Sequence, residues 1–313
     1  MPFRVAFDCL WCGTPYATRS PDDLEGWAQL CPDCIGKAGD NGFLRFRLRQ
    51  ALAERSATTR GVHDVAARGA TVTPPVPSAD GPVRSIDDVD REMIEYYAAR
   101  APEYDDWYLR RGRYSHGPIH DAAWDAELDA AGRWLDALPI AGEIVELAAG
   151  TGWWSPLLAS KGELSLYDAA PATLERARER LVAHGLRAHL HVRDAWDPPD
   201  RVVDAVFAGF WLSHVPRERL ARFLAIARGW LRPGGRFAAI DSLADAASGA
   251  VDHPTPGDDV ATRRLSDGRE FRIPKVFYAP DELTAALRGA GFGDATVTTT
   301  GRFFLLASAI ATD

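Results

Sequence analysis

The chain has no cysteine beyond Cys34, no internal repeat, and no apolar run approaching the ~20 residues that a membrane-spanning helix requires. It also lacks a basic excess. Lys and Arg total 36 against 44 Asp and Glu, a net charge of −8, so there is no broad electrostatic attraction for nucleic acid. The opening MPFRVAFDCLWCG puts acid and cysteine where a secretory signal needs an uninterrupted apolar stretch. These absences point to a cytoplasmic protein with no membrane partner. At 313 residues and 46% hydrophobic content, the chain suffices for one large domain and an accessory piece.

The four cysteines fall as Cys9-x-x-Cys12 and Cys31-x-x-Cys34, two knuckles separated by eighteen residues. Two thiolate pairs at this spacing suit one tetrahedral structural zinc, a closed site without a catalytic position. A cytosolic chain disfavours two disulfides, and a redox dithiol leaves the second knuckle without a purpose. Residues 1–54 are therefore expected to form a zinc-ribbon-like domain that draws much of its folding energy from the metal. Within it, FLRFRLRQALAER reads either as a strand with one basic face or as the start of a helix. That face is either solvated or a small anion or RNA contact. Residues 55–90, with TVTPPVPSADGP, offer little for a core and read as an extended linker.

The most informative stretch is VELAAGTGWW, residues 145–154. An apolar run ends in Glu146 and then turns through Ala148, Gly150 and Gly152. Glycine there permits positive φ and close approach of a ligand. A strand that ends in such a turn and opens a helix forms the cofactor corner of an open α/β sheet. The dinucleotide fingerprint requires a third glycine, but position 155 is Ser155.

The pattern acid-x-small-x-Gly-x-Gly resembles the first motif of class I S-adenosylmethionine-dependent methyltransferases, and the downstream segments agree in order and spacing. GELSLYD ends at Asp168, whose carboxylate can accept bonds from both ribose hydroxyls, with Ala169 beside it. AHLHVRD ends at Asp194, where the resemblance implies contact with the adenine amino group. Ala195 and Trp196 then lie where the adenine would sit, Trp196 offering a flat apolar face. RVVDAVFAGFWLSHV reads as a strand buried on both faces, and its AGFW implies a cofactor contact at Phe210. LRPGGRFAAIDS reads as a helix end, a Pro-Gly-Gly turn and a fifth strand.

From about residue 91 to the end, the resemblance implies a Rossmann-like seven-stranded sheet with helices on both faces and an antiparallel last strand. It implies S-adenosylmethionine as the cofactor. The segment DREMIEYYAARAPEYDDWYLRRGRY is expected to form helices over the cofactor, with Tyr97 and Tyr104 reaching its methionine end. Residues 243–278 are too long for a plain connection. They are expected to cap the acceptor and to carry a hairpin turning at Asp267-Gly268.

Methyl transfer is an in-line displacement, so the enzyme chiefly aligns the reactants and excludes water. A base is needed when the acceptor must lose a proton. His214, just past the fourth strand, and Asp241, at the end of the fifth, are the candidates. Trp211 and Tyr278 are candidate walls of an aromatic acceptor pocket. Lys275 and His253 lie in the cap region without an assigned role. The first functional reading is methylation of an oxygen or nitrogen on a small molecule of secondary metabolism. The alternatives are an RNA or a peptide/protein methyltransferase that grips its substrate through the zinc ribbon, and a non-catalytic binding module. The Asn/Asp-Pro-Pro-aromatic tetrapeptide of many nucleic-acid amino methylases is absent.

Overall fold

A computed structural model describes residues 6–8, 15–17, 86–253 and 259–313. The chain divides into two units, Met1–Val76 and Pro77–Asp313. In the first, β1 (Ala6–Asp8) and β2 (Pro15–Ala17) pair antiparallel, Phe7 opposite Tyr16. Cys9, Cys12, Cys31, Cys34, the FLRFRLRQALAER segment and the Pro-rich stretch lie outside the described residues.

The second unit begins its described structure with α1 (Ile86–Arg100), ahead of the residue 91 at which the catalytic domain is expected to open. A 3-10 helix follows directly at Ala101–Asp106, and a second lies at Gly112–Tyr114. The core then runs α2 (Pro118–Ala137), β3 (Gly142–Leu147), α3 (Ser155–Ala159), β4 (Gly162–Asp168), α4 (Pro171–Ala183), β5 (His189–Val192), β6 (Val203–Gly209), α5 (Leu220–Gly229) and β7 (Leu231–Ser242). It ends with the hairpin β8 (Val260–Arg264) and β9 (Glu270–Pro274), then α6 (Pro280–Gly289), β10 (Phe292–Thr299) and β11 (Phe304–Ala311).

Seven strands form one sheet in the order β10-β11-β7-β6-β3-β4-β5. The run β7-β6-β3-β4-β5 is parallel, and β11 is antiparallel to both neighbours. This is the expected methyltransferase-type sheet. The order reverses beside β3, and such a switch point opens a crevice at the carboxyl ends of the strands. The central strands are covered on both faces. Val206, Phe207 and Phe237 are fully buried, and burying each such side chain is worth about 1.5–3 kcal/mol. On α5, Phe223, Leu224 and Ala227 recur at helical spacing and are all buried.

One local expectation needs correction. The Pro-Gly-Gly segment is a bulge inside β7, not a turn before it. Val203 pairs with Leu231, but Ala205 pairs with Arg236, so Arg232–Gly235 loops out of the ladder. Gly234 takes φ +79, and a Cβ on Gly235 would sit 2.9 Å from the Arg232 carbonyl oxygen.

The cap joins two distant parts of the sequence. The hairpin turns at the expected Asp267-Gly268, with Gly268 at φ +90. It packs on α1: the Arg272 N–H donates to Glu92 Oε1 at 2.6 Å, and the Tyr96 and Phe271 rings lie 5.6 Å apart.

Candidate active site

The turn after β3 carries the chain over the carboxyl end of the sheet. Gly150 takes φ +55 and Ala148 φ +49, a conformation that costs a non-glycine residue about 1–2 kcal/mol. Phe210, at the corresponding point after β6, takes φ +57. Strain of this kind persists only where the surroundings fix it. Here it falls on two residues that line the same cleft.

Asp168 at the end of β4 is oriented from three sides. The Gly150 N–H donates to one carboxylate oxygen at 2.8 Å; the Ala170 N–H (2.8 Å) and the Thr173 hydroxyl (2.9 Å) donate to the other. Burial raises its pKa, and these bonds oppose the rise. Asp194 accepts from the Trp196 N–H at 3.0 Å, and burial raises its pKa too. The Trp196 indole is fixed from behind by Arg219, whose guanidinium lies 3.9 Å from the ring centroid and pairs with Asp90 at 2.5 Å.

These groups line one cleft together with Ala148, Ala169, Ala195, Tyr97, Tyr104, Phe210 and Trp211. Asp90, Met93 and Ile94 of α1 close its other side, leaving it narrow, about 60 Å³. Sequence reasoning missed these three, since an acid paired with a distant arginine and two apolar residues on a helix carry no cofactor signature.

Two predicted cofactor residues stand elsewhere. Glu146 lies buried beneath the turn, outside the cleft wall, and accepts from the Ser155 hydroxyl at 2.6 Å. Burial lifts its pKa to about 8, eased by that bond. Gly152 is demanded by packing: a Cβ there would lie 2.7 Å from Ala177 Cβ of α4. Both pack the turn from beneath, and neither lines the cleft.

The aromatic segment after α1 folds over the cleft, as expected. It is clasped to the turn by Asp105, which accepts from the Thr151 hydroxyl at 2.7 Å and pairs with Arg180 of α4. Tyr108 stacks on Trp153 at 4.0 Å.

A second, larger cavity of about 390 Å³ lies alongside. Its walls come from the end of α1, the segment between the 3-10 helices, residues 242–253, β8 and the chain after β9. Four residues line both cavities: Tyr97, Tyr104, Phe210 and His214. His214 Nδ1 lies 2.7 Å from the Pro274 carbonyl oxygen. That oxygen only accepts, so Nδ1 carries the proton, and the Tyr97 hydroxyl donates to the free pair of Nε2 at 2.7 Å. Burial, then the nearby Lys275, holds the His214 pKa well below its usual value, so the ring is neutral at pH 7.

Asp241, the second base candidate, is not brought to either of these cavities. Its carboxylate is spent on the backbone N–H groups of Ser213 (2.9 Å) and Ser242 (2.6 Å). Tyr278 likewise is no pocket wall at these cavities: it is buried, and its hydroxyl donates to the Val215 carbonyl at 2.6 Å. Lys275 and His253, without a role in the sequence, line the second cavity. So do Arg100, Tyr114 and Arg263, which carry no local motif.

Together the fold and site define a narrow cleft at a switch point and a larger cavity beside it, with four residues lining both. The comparisons agree. A family model described as a methyltransferase domain matches residues 144–235. The chain is similar to the DhpI–SAH complex at 30% identity and TM-score 0.58, with 73% of this chain and 99% of that one covered. It is similar to the DhpI–SAM–HEP complex at 30% identity and TM-score 0.57, covering 72% and 99%. A further match is 1,6-didemethyltoxoflavin-N1-methyltransferase from Burkholderia thailandensis, at 17% identity and TM-score 0.49, covering 75% of this chain and 94% of that one. No curated protein matches the chain. The chain belongs to the S-adenosylmethionine-dependent methyltransferases.

Proposed function

We propose that the enzyme methylates an oxygen or nitrogen of a small molecule of secondary metabolism, bound in the larger cavity. The observation that carries this reading is that Tyr97, Tyr104, Phe210 and His214 line both the strand-end cleft and a cavity with room for a small molecule. In this reading Asp168 accepts from the ribose through the one lone pair that its three donors leave free, on the oxygen bound by the Gly150 N–H. Asp194 and Trp196 hold the adenine, and the turn through Ala148 and Gly150 lies along the methionine end. When bound, S-adenosylmethionine supplies the methyl group and an already activated sulfonium leaving group.

The chain's own part is alignment, exclusion of water and removal of one proton. Tyr97, Tyr104 and Phe210 form an apolar collar at the junction. The proton lost from an O–H or N–H acceptor passes to Nε2 of His214, directly or through the Tyr97 hydroxyl. The His214 Nδ1–H bond to Pro274 fixes the tautomer this requires. A cavity of about 390 Å³ has room for a small molecule, which favours that acceptor over RNA or a peptide, and the intact cleft disfavours a non-catalytic module.

The remaining proposals rest on sequence. The catalytic domain follows a linker, and the four cysteine thiolates of the first 34 residues hold one structural zinc. Their donor set suits it. Plasma mass spectrometry should return one zinc per chain, and Cys31→Ala should destabilise the first unit; absence of both effects removes the zinc. The acceptor class is tested by transfer of label from methyl-labelled S-adenosylmethionine into a host extract. Label is expected in the organic-soluble fraction. Label in RNA or protein instead would overturn the small-molecule reading.

A further inference from the structure

Three cations reach the second cavity from three separate places: Arg100 at the end of α1, Arg263 in β8 and Lys275 just past β9. Arg100 is 7% exposed, and its Nε has no hydrogen-bond partner among the described residues. Its guanidinium lies 4.6 Å from the Tyr104 ring centroid and 5.5 Å from that of Tyr114. Such contacts engage the faces of the rings and leave N–H donors unused. The side chain of Arg263 makes one hydrogen bond, at 3.4 Å, to the carbonyl of its neighbour Thr262. Neither arginine pairs with a carboxylate among the described residues.

Lys275 Nζ donates to Ser213 Oγ at 2.8 Å and Ser242 Oγ at 3.4 Å. The acid acting on it is Asp241, already engaged by two backbone amides. One carboxylate lines this cavity, that of Asp245. It is bound by Arg302 at 2.6 Å and by the Ala247 N–H at 2.8 Å. The rest of the wall is neutral and largely aromatic, including Trp107, Tyr114 and Phe277.

Two guanidinium groups and an ammonium thus surround one chamber, the arginines with no carboxylate partner among the described residues and the ammonium facing Asp241, which lies outside the cavity wall. Withdrawing a cation from water without an anion is costly, and like charges add to the cost. The strain is visible in neighbouring groups. Lys275 is pulled down to about 8, first by burial, with Arg263 and Arg100 pushing the same way against Asp241. His253 is pulled down to about 4 by burial and then by Arg263. An oxyanion would relieve all of them. The planar forks of arginine match carboxylate and phosphoryl geometry, and lysine adds a point charge.

We propose that the acceptor is an organic anion whose carboxylate or phosphoryl group is held by Arg100, Arg263 and Lys275, with its apolar part against the aromatic wall. This rests on the reading of the second cavity as the acceptor site. The anion anchors the molecule in the chamber and presents the atom to be methylated at the Tyr97–His214 junction.

The test is calorimetric titration of the full chain with benzoate, phenylphosphonate and neutral benzamide, with S-adenosylhomocysteine titrated separately. At least one anion is expected to bind, with benzamide weaker by about tenfold or more. The stronger of the two anions tells carboxylate from phosphoryl recognition. Arg263→Gln should abolish the preference for the anion and Arg263→Lys should retain part of it. S-adenosylhomocysteine affinity should stay within about twofold in both, which also establishes that the variants fold. The proposal fails if neither anion binds, if benzamide binds as well as benzoate, or if Arg263→Gln leaves anion affinity unchanged. Anion binding by a wild-type chain that does not bind S-adenosylhomocysteine would sink the cofactor reading and leave the anion site standing.

Discussion

The two cavities that meet at His214 are built in opposite ways. The cofactor cleft is assembled at strand ends, where backbone turns after β3, β4, β5 and β6 set the positions of Ala148, Asp168, Asp194 and Phe210. Its polar groups are tied down by neighbouring amides, as the three donors to Asp168 illustrate. The second cavity is assembled largely from side chains of the cap, and its two arginines pair with no carboxylate among the described residues. A preorganised, neutralised cleft suits one invariant ligand. An under-neutralised chamber on inserted segments is, in the proposed reading, where a particular acceptor is chosen.

The sharpest way to break this comparison is at the junction. His214→Gln should lower turnover on an identified acceptor by about 10²–10⁴-fold while S-adenosylhomocysteine affinity is kept. Steady-state rates and a binding titration check the two halves of that statement. Full turnover would place the base elsewhere. Gly152→Ala should act on stability alone. Its φ of +72 and the clash with Ala177 predict a loss of roughly 2–4 kcal/mol in urea unfolding, without direct contact with the cofactor.

Glu146 offers a test through pH. Its folded pKa is about 8 against 4.5 for the free group, so the folded chain keeps a proton that the unfolded chain has released between those values. Stability from this group is complete below pH 4.5 and is lost as pH rises through 8. Glu146→Gln should therefore gain stability on wild type between pH 5 and 8, by roughly 2–4 kcal/mol, measured by urea unfolding across that range. A flat difference would mean that the carboxyl is not buried as described. The smallest effect is expected from Ala148→Gly. Relief of φ +49 should raise stability by up to about 1 kcal/mol and leave cofactor affinity unchanged, because the backbone path is the same.

The contrast between the cavities also explains what was legible in the sequence. A turn at a strand end leaves a local signature, so Gly150, Asp168, Asp194, Trp196 and Phe210 could be named from short motifs, and the structure places all five in one cleft. The motif did not say which of its members face a ligand. Glu146 and Gly152 belong to it but serve the packing beneath the turn. Asp241 stood at a strand end like Asp168, yet it lines neither of the two cavities and accepts from the Ser213 and Ser242 amides away from them. Arg100, Arg263 and Lys275 come together only because the β8–β9 hairpin folds back on α1, and no spacing rule links them. The bulge at Pro-Gly-Gly was read as a turn because both need the same residues; only the register separates them.

The claim that the two cavities do separate work is tested most directly by titrating S-adenosylhomocysteine into wild type, Asp168→Ala and His214→Gln. Loss of a buried carboxylate proposed to bind the ribose should weaken binding by about tenfold or more in Asp168→Ala, with His214→Gln within about threefold of wild type. An unchanged Asp168→Ala, or a His214→Gln that loses as much, would contradict the account.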